Sequence, residues 1–206
     1  MENKYRYTSE WTKNLERELH WRWYWHQLKL MEGRINPDAR IAEIGVGSGF
    51  TYNYLKSKGF NIKSIDIDKD KKPDLLENIV TCPDEFLKFD VILAFNVFEH
   101  IPYLEFIQTI EKFSRNKIKQ LFIGLPLNKK IIFELKFRLG RFINKTLTIQ
   151  VPKKKITTPF HHWEPGFENY TTTKIVDDFK HLHYDLEANF EFKLQSYFYF
   201  KLANEK

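Results

Sequence analysis

The most constraining feature of the sequence is an apolar segment near its middle, Phe89–Phe95, in which Val91–Phe95 has no polar residue at all. A strand with one face in water would alternate apolar and polar residues. A continuous apolar run instead indicates a strand that is buried on both faces, as in a parallel sheet covered by helices. Parallel strands need long crossover connections, so helical segments should flank this strand.

Hydrophobic periodicity on both sides of this segment fits that expectation. Apolar runs predict strands, and stripes at helical spacing predict helices between them. The predicted strands are Ile41–Ile44, Ile62–Ile67, a weak third strand at Ile79–Val80, Phe89–Phe95 and Ile118–Leu125, and the predicted helices are Ser48–Lys58, Tyr103–Arg115 and Thr172–His183. Asp185–Leu202 then alternates in polarity and predicts an antiparallel strand pair. Repeated β–α units predict an α/β fold with a doubly wound, mostly parallel sheet.

Two segments fall outside this alternation. Trp11–Ile35 predicts a long helix, capped by Thr8 or Ser9, with apolar residues on two sides. Residues 128–155 carry nine Lys and Arg against the single acid Glu134, a net charge of +8 that exceeds the +6 of the whole chain. Apolar residues in this basic segment also recur at helical spacing, so we expect a second helix there, and both helices are expected to act as lids.

Length and composition predict a single folded domain. The chain has 206 residues, 42% of them hydrophobic, which is enough to form a core and excludes a disordered class. We divide it into an N-terminal helical lid (residues 1–36), a ligand-binding core (40–126), a basic insertion (127–170) and a C-terminal helix with strands (171–206). The longest apolar run is far shorter than a membrane span. No export signal is visible at Met1–Ser9, which predicts a cytoplasmic location. Cys82 is the one cysteine, so disulfides and multi-cysteine metal sites are excluded.

The chemistry is expected after the carboxyl ends of the strands, where doubly wound sheets bind ligands. Directly after the first strand comes the loop Gly45-Val46-Gly47-Ser48-Gly49, followed by a helix. Glycines allow close approach of the backbone to a ligand. Asp66 ends the second strand, 21 residues after Gly45, where a carboxylate can accept the hydroxyls of a ribose. The two features together predict a nucleoside site, whereas the G-x-G-x-G spacing fits neither the dinucleotide fingerprint nor a phosphate-binding P-loop.

These residues resemble the class I S-adenosylmethionine-dependent methyltransferases, especially their small-molecule branch. The resemblance rests on Ala42–Gly49 (AEIGVGSG), on Ile65–Asp68 (IDID) and on Phe89–Ile101 (FDVILAFNVFEHI), and it extends over roughly Arg40–Pro126. It implies a Rossmann-like methyltransferase fold that binds S-adenosylmethionine. The residues that it assigns to the cofactor are Glu43, which shapes the loop, Gly45, Gly47 and Gly49 along the methionine part, Asp66 at the ribose, Asp84 near the adenine and Asn96 in the pocket wall.

Histidines supply the candidates for acceptor chemistry. In the family, a stretch of His and aromatic residues before the last helix often borders the acceptor pocket, which points to His161 or His162 as an acceptor contact or general base. Adjacent histidines cannot easily face one ion, and His181 and His183 point apart on a helix. No metal site is therefore expected. Glu99-His100 is interpreted as a structural pair that begins the next helix.

Three functions remain open. The first is methyl transfer to a small, partly apolar acceptor. The second is RNA methylation, with the basic segment along the phosphates. This alternative is disfavoured, because Asn96-Val97-Phe98-Glu99 lacks the Pro-Pro motif of exocyclic-amine enzymes and Cys82 precedes rather than follows a proline. The third is a peripheral membrane enzyme with a lipid-like acceptor. The acceptor and the oligomeric state cannot be deduced from the sequence.

Overall fold

The structure, a computed structural model, describes residues 16–141 and 143–203. Its helices and strands, in chain order, are α1 (Glu18–Met31), β1 (Arg40–Ile44), α2 (Phe50–Ser57), β2 (Asn61–Asp66), β3 (Leu75–Leu76), β4 (Val91–Phe95), α3 (Tyr103–Arg115), β5 (Gln120–Pro126), β6 (Lys129–Leu139), β7 (Ile143–Pro152), α4 (Thr172–His181), β8 (Tyr184–Phe192) and β9 (Gln195–Leu202).

Seven strands form one sheet in the order β3-β2-β1-β4-β5-β9-β8. The pairs from β3 to β5 are all parallel, whereas β9 pairs antiparallel with both β5 and β8. The predicted doubly wound, mostly parallel sheet with an antiparallel strand pair is therefore confirmed. The chain reverses its strand order at β1 and β4, so the carboxyl ends of these two strands lie side by side.

The core lies on both faces of this sheet. The first four residues of β4 are buried, as its continuous apolar run predicted. α3 buries Phe106, Ile110 and Phe113 against one face, and its bounds match the prediction. The other face carries a second cluster that includes Leu30 and Met31 of α1. The sheet is thus covered by helices on both sides.

The third strand is displaced from its predicted position. β3 is Leu75–Leu76, whose residues pair with the last two of β2, whereas Ile79 and Val80 lie in a turn. The ammonium of Lys112 on α3 explains the difference, because it donates to the carbonyl oxygens of Ile79 at 2.8 Å and of Val80 at 3.1 Å. These carbonyls bind a side chain instead of a neighbouring strand.

The basic segment is a β-hairpin, so the predicted second helix is wrong. β6 and β7 pair antiparallel and form a sheet of their own. The odd-numbered residues Ile131–Leu139 are all apolar, a period of two that competed with the helical spacing, and β-branched and aromatic residues favour strands. Gly140, with φ 55°, follows β6 at the turn. Any lid formed by this segment is consequently a hairpin rather than a helix.

The N-terminal helix is present as α1. Its predicted start at Trp11 and its cap at Thr8 or Ser9 lie outside the described residues. α1 buries Gln27, Leu30 and Met31. None of the described helices has the length and apolarity needed to cross a bilayer.

Candidate active site

The glycine loop connects β1 to α2 at the carboxyl edge of the sheet. Gly45, Gly47 and Gly49 all have left-handed backbones, with φ of 74°, 54° and 76°. A side chain at Gly45 would also collide with the sheet, because a Cβ atom there would lie 2.6 Å from Cγ2 of Val97 after β4. Glycine is required here for both conformation and space.

Asp66 ties the end of β2 to this loop. Its Oδ2 accepts the backbone N–H of Val46 at 2.9 Å, and its Oδ1 accepts that of Asp68 at 2.9 Å. The ammonium of Lys71 lies 3.6 Å from Oδ2, and the Asp66 side chain is buried. Each carboxylate oxygen has a second lone pair, so Asp66 can hold the loop and still accept a ligand hydroxyl.

Glu43 is buried in β1, immediately before the loop. Burial raises its pKa to about 8, and the nearby Asp66 carboxylate acts in the same direction, although the backbone N–H of Tyr52 donates to it. Within the described part of the chain its Oε2 has no hydrogen-bond partner. Glu43 is therefore a largely protonated acid at neutral pH.

α1 covers the outer side of the loop. The hydroxyl of Tyr24 lies 2.8 Å from that of Ser48, and the buried hydroxyl of Thr51 donates to Oε1 of Gln27 at 2.9 Å. The ring of Phe50 stacks on Tyr24 with centroids 4.8 Å apart. A groove of about 400 Å³ runs along this contact, and of the loop residues only Ser48 lines it. α1 thus fixes the loop from the side opposite β4.

Buried polar atoms gather at the same edge of the sheet. Asn96 follows β4 in a left-handed conformation (φ 56°), and its backbone N–H donates to the carbonyl oxygen of Gly124. Several side chains at this edge have buried polar atoms that lack a hydrogen-bond partner among residues 16–141 and 143–203: Asn96, Glu99, Asn128, Glu164 and Gln195. Such atoms are destabilising unless something pairs with them. Their clustering where doubly wound sheets bind ligands indicates a binding site.

The histidines divide between this edge and the surface. His161 is largely buried, and its Nδ1 lies 2.7 Å from Oε1 of Glu164. His162 is exposed, and its backbone N–H donates to the carbonyl oxygen of Glu99. That bond brings the segment before α4 against the segment after β4. The structure therefore gives different surroundings to two adjacent residues that the sequence analysis treated together.

Two further residues join His161 that sequence reasoning had assigned to structure alone. One ligand atom from each of Glu99, His100 and His161 lies within 4.8 Å of the others. Burial raises the pKa of Glu99 to about 8, with Glu164 as a second acidic neighbour. Burial and the nearby His161 lower the pKa of His100 to about 4. The sequence signal for Glu99 and His100 was their place in the run Phe89–Ile101, a few residues after the end of β4.

Asp84 is not brought into this cluster by any described contact. It is exposed at the start of the short 3-10 helix Asp84–Phe86, between β3 and β4. Its assignment to the adenine stays a prediction.

The sequence was compared with protein families and with curated proteins. No family model matches the sequence. The uncharacterized protein MJ0638 of Methanocaldococcus jannaschii is 31% identical over 130 residues, covering 60% of this chain and 56% of that protein. The chain thus spans little more than half the length of the curated relative that it matches.

Solved structures are similar over nearly the whole chain. The PH0226 protein from Pyrococcus horikoshii has a TM-score of 0.60 and 12% identity, covering 95% of this chain and all of that one. Magnesium protoporphyrin IX methyltransferase from Synechocystis, with bound S-adenosylmethionine, has a TM-score of 0.60 and 11% identity, covering 96% and 86%. The 1,6-didemethyltoxoflavin N1-methyltransferase from Burkholderia thailandensis has a TM-score of 0.58 and 8% identity, covering 88% and 78%. The chain therefore has the fold of the class I S-adenosylmethionine-dependent methyltransferases, as the resemblance implied.

Proposed function

We propose that this protein transfers a methyl group from S-adenosylmethionine to a small-molecule acceptor. The observation that carries the proposal is the arrangement at the carboxyl edge of the sheet, where the left-handed glycine loop, the Asp66 carboxylate and the unpaired Oδ1 of Asn96 come together on neighbouring strands. The small-molecule methyltransferases of similar fold support the class of acceptor. A cytoplasmic location remains a prediction.

The residues present fit the cofactor. Gly45, Gly47 and Gly49 leave the backbone open for the methionine part, and Asp66 offers oxygens to the ribose hydroxyls. The unpaired Oδ1 of Asn96 can accept a hydrogen bond from a bound ligand. When bound, S-adenosylmethionine supplies a methyl group on a positively charged sulfur. The protein must then hold the acceptor in line with that group and exclude water.

We place the acceptor between the segment after β4 and the segment before α4. We assign the acceptor contact to His161 rather than to His162, because His161 is oriented by Glu164 whereas His162 is exposed. Asn128 lies at the same place, since its backbone N–H donates to the carbonyl oxygen of Pro165 and its buried amide lacks a partner in the described chain. These groups suit an acceptor with both polar and apolar parts.

Titration calorimetry tests the cofactor site. The unmodified protein should bind S-adenosylhomocysteine and should not bind NAD. Asp66→Ala should weaken that binding roughly tenfold to a hundredfold, as expected for loss of charge-assisted hydrogen bonds. Asp185→Ala removes an exposed carboxylate of β8 and should leave the affinity unchanged. If the unmodified protein does not bind S-adenosylhomocysteine, the proposed function is wrong.

The hairpin favours a second candidate function, contact with an anionic lipid surface. Its apolar face is exposed: Phe133, Leu135, Phe137, Leu139, Leu147 and Ile149 are each at least 45% exposed. On the opposite face, Glu134 pairs with Lys193 between β8 and β9. An apolar face carried on a segment of net charge +8 matches an anionic bilayer. The positive charge of the segment would repel the same segment in a second copy of the chain. Binding to RNA does not require an apolar face.

Vesicle flotation separates these possibilities. The protein should float with vesicles that contain phosphatidylglycerol and much less with neutral phosphatidylcholine vesicles. Replacing Phe133, Leu135 and Leu147 with Ser should abolish flotation without changing the net charge. If those substitutions have no effect, while Lys136→Glu and Lys145→Glu abolish a salt-sensitive binding to RNA, the segment binds RNA and the membrane proposal is wrong.

A further inference from the structure

The cluster formed by Glu99, His100 and His161 has a use that methyl transfer alone does not require. Glu99 and His100 follow β4, and His161 precedes α4, 61 positions later in the chain. The hydrogen bond from the backbone N–H of His162 to the carbonyl oxygen of Glu99, 2.8 Å long, brings the two segments into contact. One carboxylate oxygen and two imidazole nitrogens thereby lie within 4.8 Å of one another.

Both imidazole rings are oriented by an oxygen at Nδ1. The Oε1 of Glu164 lies 2.7 Å from Nδ1 of His161, and the carbonyl oxygen of Phe160 lies 3.1 Å from Nδ1 of His100. An oxygen at Nδ1 holds the proton there and directs the lone pair of Nε2 outward. Metal-binding histidines in proteins commonly have such an oxygen partner on the other ring nitrogen. Nε2 of His100 also faces the carboxylate, 4.0 Å from Oε1 of Glu99.

The carboxyl groups supply the second, independent observation. Glu99 is 1% exposed and Glu164 is 2% exposed, and the Oε2 of each has no hydrogen-bond partner in the described residues. Two buried carboxyl groups beside two histidines leave incompletely satisfied oxygens. A dication that takes the place of a carboxyl proton would satisfy these oxygens at one point.

We propose that Glu99, His100 and His161 bind a divalent transition-metal ion, with Glu164 as the positioning residue that orients His161. Two imidazoles and one carboxylate suit ions such as Zn²⁺ or Co²⁺ and leave coordination positions open. The ion site stands on the geometry alone, whereas its use rests on the proposed function: an oxygen or nitrogen atom of the acceptor would occupy an open position. His161 then contacts the acceptor through the ion. The sequence prediction of no metal site weighed only the adjacent pair His161 and His162 and the pair His181 and His183.

Direct titration of chelator-treated protein tests the site. Zn²⁺ should bind in a single equivalent by calorimetry, and Co²⁺ should give the visible absorption bands of a protein-bound ion. His100→Ala and His161→Ala should each weaken binding by at least tenfold. The matched controls are His162→Ala, exposed beside the site, and His181→Ala, exposed on α4, and both should bind as the unmodified protein does. Glu164→Gln should weaken binding by roughly tenfold, less than His161→Ala does, because Glu164 acts on the ion through the His161 ring.

Thermal unfolding of each variant without metal shows whether that variant folds. If an alanine variant does not fold, Glu99→Gln provides another ligand variant, because it preserves the shape of the side chain. Absence of stoichiometric binding, or binding unchanged in every folded ligand variant, overturns the proposal. Titration of metal-free protein with S-adenosylhomocysteine separates the two proposals: nucleoside binding without metal binding refutes the ion site alone, and metal binding without nucleoside binding refutes the proposed function.

Discussion

At the scale of single residues, Glu43 makes folding stability depend on pH. Its pKa is about 8 in the folded protein, above the ordinary value of 4.5. As pH rises between these values the unfolded chain releases the proton first, so the free energy of unfolding should fall. Glu43→Gln should remove the part of this dependence that Glu43 contributes and leave the part from Glu99, whose pKa burial also raises to about 8. Urea unfolding of both proteins between pH 5 and pH 8 measures it, and parallel pH profiles would contradict the assignment.

Gly45 offers a test of close packing at the ligand loop. Gly45→Ala adds a Cβ that would meet Val97, whereas Gly33→Ala has a similar φ of 69° and no atom within 4 Å of the added Cβ. Both variants carry the strain of a left-handed backbone, so their difference reports the collision. We expect Gly45→Ala to destabilise by about 1–3 kcal/mol more than Gly33→Ala in chemical unfolding. Addition of Val97→Ala should recover part of that difference.

The sequence placed several single residues well because their neighbours along the chain carried the signal. Gly45, Gly47 and Asp66 stand at strand ends that could be recognised locally, and the structure puts all three at one edge. The approach of His161 to Glu99 and His100 was not predictable in that way. It depends on how the segment before α4 folds back over β4, which no local spacing encodes.

At the scale of elements, the hairpin should be dispensable for folding. None of residues 129–139 and 145–152 is buried, and the hairpin is joined to β8 and β9 by surface contacts such as Lys129 with Glu191. Because Lys130 and Val151 are paired, an Asn-Gly turn can join them in place of residues 131–150. The shortened protein should keep its melting temperature within a few degrees and its affinity for S-adenosylhomocysteine. A protein that no longer folds would assign the hairpin a structural role.

Secondary structure was predictable where one period dominated. The α3 bounds and the buried β4 follow from unambiguous patterns, whereas Ile131–Ile143 fits both a helical stripe and strict alternation. The ambiguity was resolved by residue type rather than by spacing, since β6 contains Ile and Phe and β7 contains Ile and Thr. The displacement of the third strand had no sequence signal, because it follows from contacts made by Lys112 on a helix more than 30 residues away.

At the scale of the whole molecule, ligand binding should stabilise the fold by mass action. S-adenosylhomocysteine at about 100 times its dissociation constant should add roughly 2.7 kcal/mol to the free energy of unfolding. Differential scanning fluorimetry should therefore show a higher melting temperature, whereas NAD should cause no change. Gly47→Val places a branched side chain in the loop and should abolish the shift. If the ligand-free variant itself has a much lower melting temperature than the ligand-free unmodified protein, Gly47 serves folding instead.

The global architecture was the most predictable level. Alternating strands and helices fix a parallel sheet and its ligand-binding edge, because parallel strands require crossovers of one hand. The sequence predicted β8 and β9 as an antiparallel pair, but not that β9 would lie between β5 and β8. The register of β9 follows from packing of buried aromatic residues such as Phe198 and Phe200.

The isolated hairpin has a consequence for colloidal behaviour. β6 and β7 pair only with each other, so both outer edges of this ribbon present unsatisfied backbone groups beside an apolar surface. Such ribbons are templates for growth of intermolecular sheets, and lysines and arginines along them act as gatekeepers through mutual repulsion. Concentrated salt or a polyanion would screen that repulsion. Precipitation should therefore be favoured by concentrated salt and by polyanions.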